Sequence, residues 1–341
     1  MQAHPLRSPR DLCLRDGGFP RSAKTGCSIM YVAFIRTLVF ALALFPALVS
    51  AQLAGGLMFP GPGTPVATAT YQGPGDVVSG ATVWGSCARV YNAAAASTST
   101  SLCDLVDATT GTVAIGTLRG SSSGQVDLTA YFTGLVTPAT ACAAAAGGFC
   151  RVKKIYDQSG NSNHWIQATA ANMPPLVFSA VNGLPGLSCT GSPVIIPTPA
   201  LTRAQPFSMS TVYKRTSGST NVAAIGAQSG GIIMGSAAVA SDAIIGAGTN
   251  VVIASVPDNA FHAFQGALNG ASGAYNIDGT DVSSQSVGAN SFSASTLRLC
   301  SDGANYLVGQ VMEGGMWPAA FTSGQRGNLN TNQHGSNGYN F

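Results

Sequence analysis

An all-β sandwich with few short helices is the fold class that this 341-residue chain predicts. Three observations carry the prediction. Short runs alternate apolar and polar residues, as half-buried strands do. Gly, Asn, Asp and Pro break those runs at close intervals, the turn signals of a sandwich. Long helical periods are scarce in a chain with 42 glycines and 9% charged residues.

Taken from the N-terminus, residues 30–51 read MYVAFIRTLVFALALFPALVSA. Arg36 gives a short positive region, Thr37 to Leu48 an apolar stretch, and Val49-Ser50-Ala51 a small-x-small cleavage site before Gln52, the pattern of a secretory signal peptide. A membrane anchor needs about 20 apolar residues, more than this stretch supplies. Met30 is placed to start the signal, so 1–29 are expected to be an over-extended start. Residues 52–84 are rich in Gly and Pro and are expected to form an irregular lead into a single domain over 85–341. The product is expected to be secreted or periplasmic, free of the membrane after cleavage, and monomeric by default.

Charge and cysteines narrow the function classes. The first 51 residues hold six Lys or Arg and two Asp or Glu, out of 16 and 13 in the chain. The chain beyond residue 51 is near neutral, with no basic patch interleaved with aromatics, so nothing in it argues for a nucleic-acid partner. Six cysteines remain after cleavage, Cys87, Cys103, Cys142, Cys150, Cys189 and Cys300, an even number that suggests disulfides in an exported chain. Local loops make Cys142–Cys150 and Cys87–Cys103 the first pairs to expect. No CxxC or clustered His points to a metal, and no cofactor motif is present.

Strand signals recur along the chain. "FSMSTVYKR" (207–215) puts Phe207, Met209, Thr211 and Tyr213 on one face. "AYNIDGTDVSS" (274–284) has Asp278-Gly279 between two extended runs, a type I′ hairpin signal. "STLRLCSDGANYLVGQVMEGGMW" (295–317) reads as strand, turn, strand across a hairpin. The small-residue patches at 93–101 and 141–148 are expected to be loops, and a short helix is expected near Ser323 to Asn332.

The densest polar stretch is "KIYDQSGNSNHWIQ" (154–167). Asp157 and Ser159 can accept from backbone N–H groups one or two residues on, and Gly160 and Asn161 tolerate left-handed φ. Asp157 is therefore expected to cap a turn. His164 is expected to be structural, because no Ser or Cys nucleophile motif accompanies it. Trp165 fits either the core or a sugar-stacking platform.

"FCRVKKIYDQSGNSNHWIQA" resembles a strand and turn in the catalytic domain of α-L-arabinofuranosidase B, glycoside hydrolase family 54. "CARVYNAAAASTSTSLCDLVDATTGTVAIGTL", "PFSMSTVYK" and "TLRLCSDGANYLVGQVMEGGMW" resemble that family's segments in the same order. The resemblance covers about 85–335 and implies a concanavalin A-like jelly roll acting on arabinose-bearing polysaccharide. Glycoside hydrolysis normally uses two carboxyl groups. The resemblance places the acid/base at Asp302; Trp165 and Asn305 are the candidate substrate contacts. It places the family's nucleophilic glutamate at Gly235, where this chain has none, and its two adjacent cysteines in "NVAAIGAQSG", which has none. Asp242, or Glu313 across the expected hairpin, is the remaining source of a second carboxylate. A non-catalytic lectin-like module on the same sandwich is the alternative.

Overall fold

The computed structural model describes residues 70–132, 136–218, 220–238 and 241–341. The expectations for 1–29 and 30–51, and for the lead up to 69, lie outside the described residues. In chain order the strands are β1 (Val83–Ser86), β2 (Ser101–Asp107), β3 (Ala114–Arg119), β4 (Cys150–Ile155), β5 (Trp165–Ile166), β6 (Leu176–Val181), β7 (Leu184–Thr190), β8 (Ile196–Arg203) and β9 (Phe207–Ser217). They continue with β10 (Val222–Ala227), β11 (Ile232–Ser236), β12 (Asp242–Ala247), β13 (Asn250–Ala254), β14 (His262–Leu268), β15 (Gly273–Ile277), β16 (Thr280–Gln285), β17 (Phe292–Leu299) and β18 (Val308–Trp317). The α-helices are α1 (Pro74–Val77), α2 (Pro138–Ala144) and α3 (Ser323–His334).

The strands form three sheets. An eight-stranded sheet runs β16-β15-β14-β9-β18-β7-β6, with β1 also pairing β18; a six-stranded sheet runs β13-β12-β11-β10-β17-β8; a four-stranded sheet runs β3-β2-β4-β5. The first two stack as a β-sandwich. Phe207 of β9 meets Phe292 of β17 edge-on, with ring centroids 5.4 Å apart, and the Tyr213 hydroxyl donates to the Gly235 carbonyl at 2.8 Å. These contacts put the apolar face of "FSMSTVYKR" into the interior. The approach is close: a Cβ on Gly314 would lie 2.5 Å from Leu299 and 3.0 Å from Ile225 of the opposite sheet. Ser208, Ser210 and Val212 of β9 point the other way, toward the layer that contains α3.

Local chemistry explains several elements. Asp278 and Gly279 have φ of 49° and 89°, the two positive values of a type I′ turn, and join β15 to β16. In α3, Thr322 and Gln325 form a reciprocal capping box. The 141–148 patch departs from expectation, because α2 occupies its first part. Thr137 caps that helix, Pro138 starts it, and alanine has the highest helix propensity. The described part of the lead is likewise partly regular, with α1 and the start of β1. Three disulfides close the fold: Cys87–Cys103, Cys142–Cys150 and Cys189–Cys300.

The expected hairpin over 295–317 is not formed. β17 pairs with β10 and β8 in the six-stranded sheet, whereas β18 pairs with β9, β7 and β1 in the eight-stranded sheet. Residues 300–307 carry the chain across the sandwich, and Cys300 is tied to Cys189 of β7. An Asp-Gly turn directs the chain locally; which sheet the next strand joins is decided by partners far away in sequence.

Candidate functional site

Asp302 lies just after that crossover begins. Its carboxylate accepts from the backbone N–H groups of Ala304 and Asn305, each at 2.7 Å, and from the Asn305 side-chain amide at 2.7 Å. It is 3% exposed. The turn is held from outside by Arg298, whose guanidinium donates to the Asp302 carbonyl at 2.7 Å. Asn305 therefore spends its side-chain NH2 on Asp302, and its backbone carbonyl accepts from the Ala223 N–H of β10.

The strand register fixes the face on which this turn rests. A Cβ on Gly226 would lie 2.9 Å from the Asp302 Cβ, so Asp302 covers the face of β10 to which Gly226 belongs. Ile225, Met234 and Ile245 are in register and face the sandwich interior; Gly226, Ile233 and Gly246 are in register on the opposite, outer face. Gly235 pairs with Ala223 and Ile244 on that outer face too. The turn of Asp302 thus rests on β10, and Gly235, the position that the resemblance gives to the family's glutamate, lies on the neighbouring strand β11. No side chain fits at Gly235: its Cβ would lie 2.2 Å from the Val222 carbonyl oxygen and 2.7 Å from the Ala224 nitrogen.

Asp242 shares the outer face but is remote. It lies four residues along β12 from Gly246, the register partner of Ile233. Four residues of strand are about 13 Å and two strand spacings about 10 Å, which puts Asp242 about 16 Å from Gly226. Its carboxylate accepts from the Ser255 N–H at 3.2 Å, on the β13 side and away from Asp302. Retaining and inverting pairs need about 5–5.5 Å and about 6.5–9.5 Å.

Glu313 is on the far side of the sandwich. Gly314 faces the interior, so Glu313 faces outward from the eight-stranded sheet, and the stacked sheets are about 10 Å apart. There it accepts from Arg89 Nε (2.7 Å) and Nη2 (3.0 Å), Gln333 Nε2 (2.6 Å) and the Tyr339 hydroxyl (2.8 Å). Both charged side chains are fully buried, and burial pushes the Tyr339 phenol well above its ordinary pKa. Sequence reasoning missed this network, in which Arg89 reaches the Asn332 side chain 243 residues away and the Asn337 carbonyl 248 residues away; no local signal marks them.

The remaining carboxylates are also engaged. From residue 70 onward the acids are ten aspartates and Glu313. Asp157 accepts from Trp84 N, Ser159 N and Asn163 N, and so caps the turn and pins it to β1. His164 Nδ1 accepts from Asp157 N at 2.9 Å, and burial, with Lys154 nearby, lowers its pKa. Trp165 is fully buried, packed where a Cβ on Gly85 would lie 2.7 Å from its ring, so it is core and not a platform. Asp258 pairs with Arg215 and Asp281 with Arg326.

Asp278 lies between two histidines. His262 Nδ1 is 2.5 Å and His334 Nε2 3.1 Å from its oxygens, and the other ring nitrogens face the carbonyls of Pro257 and Phe341. Each imidazole meets an acceptor at both nitrogens, which favours the imidazolium. Burial works against the His262 cation, but the Asp278 contact outweighs it, and both histidines sit above 6.5. Burial raises the Asp278 carboxyl, and the histidine hydrogen bonds bring it down to about 2. Among the described residues no group of three or more His, Cys, Asp or Glu is placed to hold a metal ion.

The surface also carries polar clefts. One of about 550 Å³ lies between α1 and α3 and includes Asp76, Asn328 and Asn332. Another of about 400 Å³ includes Thr82, Asn161, Asn163 and Arg203. Neither is lined by Asp302, Asp242 or Glu313.

No family model matches the sequence, and no curated protein matches it. Solved structures do. A family 54 α-L-arabinofuranosidase variant soaked with 4-nitrophenyl α-L-arabinofuranoside matches with a TM-score of 0.57 at 17% identity, over 76% of this chain and 64% of that one. The fold is that of the family 54 α-L-arabinofuranosidases. An arabinofuranosidase complexed with arabinofuranosyl-α-1,2-xylobiose matches over the same shares with a TM-score of 0.54 at 17% identity, and a family 54 enzyme soaked with a cyclic sulfate inhibitor with 0.55 at 16%. The chain spans 64% of the length of these arabinofuranosidase chains. The other carboxylate on this outer face, Asp242, lies about 16 Å from Gly226, beside which Asp302 rests.

Proposed function

We propose that the protein is an exported carbohydrate-binding β-sandwich on the arabinofuranosidase fold, keeping the turn of the acid/base and lacking the second carboxylate that hydrolysis requires. The observation that carries this reading is the backbone against Gly235, which leaves no room for a side chain where the fold would need a nucleophile. Arabinose-bearing polysaccharide is the ligand class, taken from the sugars bound by the structural neighbours. Export is supported by the 30–51 pattern and by three disulfides. Among the described residues no helix is long and apolar enough to cross a membrane. One observation favours hydrolysis as a second reading: Asp302 itself occupies the acid/base position by resemblance.

Affinity electrophoresis in arabinoxylan and arabinan, together with release of p-nitrophenol from the aryl α-L-arabinofuranoside, tests the proposal. Retardation in the gel with no release above that of Asp302→Asn is the expected result. Release abolished by Asp302→Asn would establish the hydrolase instead, and free migration in both gels would remove the binding reading.

A further inference from the structure

The 400 Å³ cleft is bounded by the segment before β1, the 157–163 turn, the end of β8 and Pro318 after β18. Its volume is within the range of about 300–1,000 Å³ usual for small-ligand sites. Two of its lining residues carry buried polar atoms without a partner, Thr82 Oγ1 and Arg203 Nε. Among the described residues the Arg203 guanidinium makes no ion pair or side-chain hydrogen bond. Buried polar groups are ordinarily hydrogen-bonded, and each exception needs an explanation; two exceptions lining one cleft share an explanation in a ligand.

The other polar groups define its chemistry. Asn161 Nδ2 donates to the carbonyls of Ala81 and Thr82, and Asn163 Nδ2 donates to Thr82. Those contacts fix both amide orientations and leave both side-chain carbonyl oxygens without a donor. The nearby carboxylate of Asp157 is turned inward onto three backbone N–H groups, so it supplies no partner for Arg203. The cleft therefore offers a guanidinium and a hydroxyl beside two neutral acceptors. A guanidinium fork suits a carboxylate, while amide carbonyls accept hydrogen bonds, which sugar hydroxyls can donate. Fully ionised sulfate or phosphate supplies the first and lacks the second.

We propose that this cleft binds an acidic sugar residue, a uronate, with its carboxylate on Arg203 and Thr82 and its ring hydroxyls on Asn161 and Asn163. This extends the carbohydrate-binding reading to a charged glycan and a site away from Asp302.

Isothermal titration of the intact exported protein with trigalacturonic acid, galactotriose and inorganic sulfate tests it. Trigalacturonate is expected to bind at least about tenfold more tightly than the neutral trisaccharide, the size of one charge-assisted hydrogen bond, and sulfate much more weakly. Arg203→Gln should bring trigalacturonate down to the galactotriose level. Thr82→Val, close in shape, should weaken it severalfold while leaving the unfolding midpoint unchanged, which keeps the test valid if Arg203→Gln is poorly folded. Equal binding of both trisaccharides, sulfate binding as tight as trigalacturonate, or trigalacturonate binding untouched by both substitutions would overturn the proposal. Retention by arabinoxylan without trigalacturonate binding sinks this inference alone; the reverse pattern sinks only the arabinose reading.

Discussion

Replacing Glu313 by Gln separates a structural carboxylate from a catalytic one. Glu313 and Arg89 are fully buried and bidentate at 2.7 and 3.0 Å, and Gln333 and Tyr339 add two more donors to the same carboxylate. A glutamine of the same shape removes the charge and turns one acceptor into an NH2 facing donors. Arg89 is left as a buried cation with no counter-charge, because its remaining acceptors are the Asn332 side chain and the Asn337 carbonyl. Removing one partner of a buried pair costs about 3–5 kcal/mol. At about 2–4 °C per kcal/mol for a domain of roughly this size, the Tm should fall by about 10 °C.

The assay is thermal and urea unfolding followed by circular dichroism, with Arg89→Met/Glu313→Leu as the companion. Replacing both charges together should be less damaging than Glu313→Gln, since buried pairs exchanged for apolar residues are often neutral in stability. An unfolding midpoint for Glu313→Gln equal to that of the wild type would refute the reasoning. So would loss of arabinofuranoside hydrolysis with stability intact, which is the signature of a catalytic carboxylate.

The same geometry sets two further outcomes. Gly235→Glu should fail to confer hydrolysis and should reduce soluble yield, because its Cβ would lie 2.2 Å from the Val222 carbonyl oxygen; a well-folded variant that cleaves the aryl arabinofuranoside would contradict this. The clasp of His262, Asp278 and His334 should stabilise most between the unfolded pKa values of Asp, about 3.9, and His, about 6.5. Both histidines are raised in the fold, so their contribution declines as pH rises through their folded values, and that of Asp278 is lost as pH falls toward about 2. Unfolding midpoints across pH 4–8 should fall on the alkaline side in the wild type and much less in His262→Gln; parallel curves would reject the clasp.

Features set by a few adjacent residues were legible in the sequence. Asp278-Gly279 specified its turn because two positive φ values are a local demand, and Asp157 specified a cap because its acceptors reach Ser159 and Asn163. The 300–307 crossover was not legible, since the same Asp-Gly chemistry serves a hairpin or a sheet change. Trp165 stayed open between core and platform because Gly85, 80 positions earlier, decides it. Arg89 carried no signal, because its partner Glu313 lies 224 residues away.

That contrast bears on how Asp302 is to be understood. Asp157 and Asp302 do the same local work: each accepts backbone N–H groups from residues just beyond it in the chain. The N–H groups of Ala304 and Asn305 and the Asn305 amide already account for an aspartate at 302, with no reaction needed. Catalysis would require something no turn supplies, a second carboxylate brought within reach across the sheet. The nearest strand positions hold Gly226, on which Asp302 rests, and its partner Ile233; further along the same face Gly235 has no space and Ala223 packs with Ile233 and Ile244 in a small apolar cluster. Around Asp302 the outer face is built from small and apolar residues, and the other carboxylate on that face, Asp242, is about 16 Å from Gly226, too far to share a reaction with Asp302.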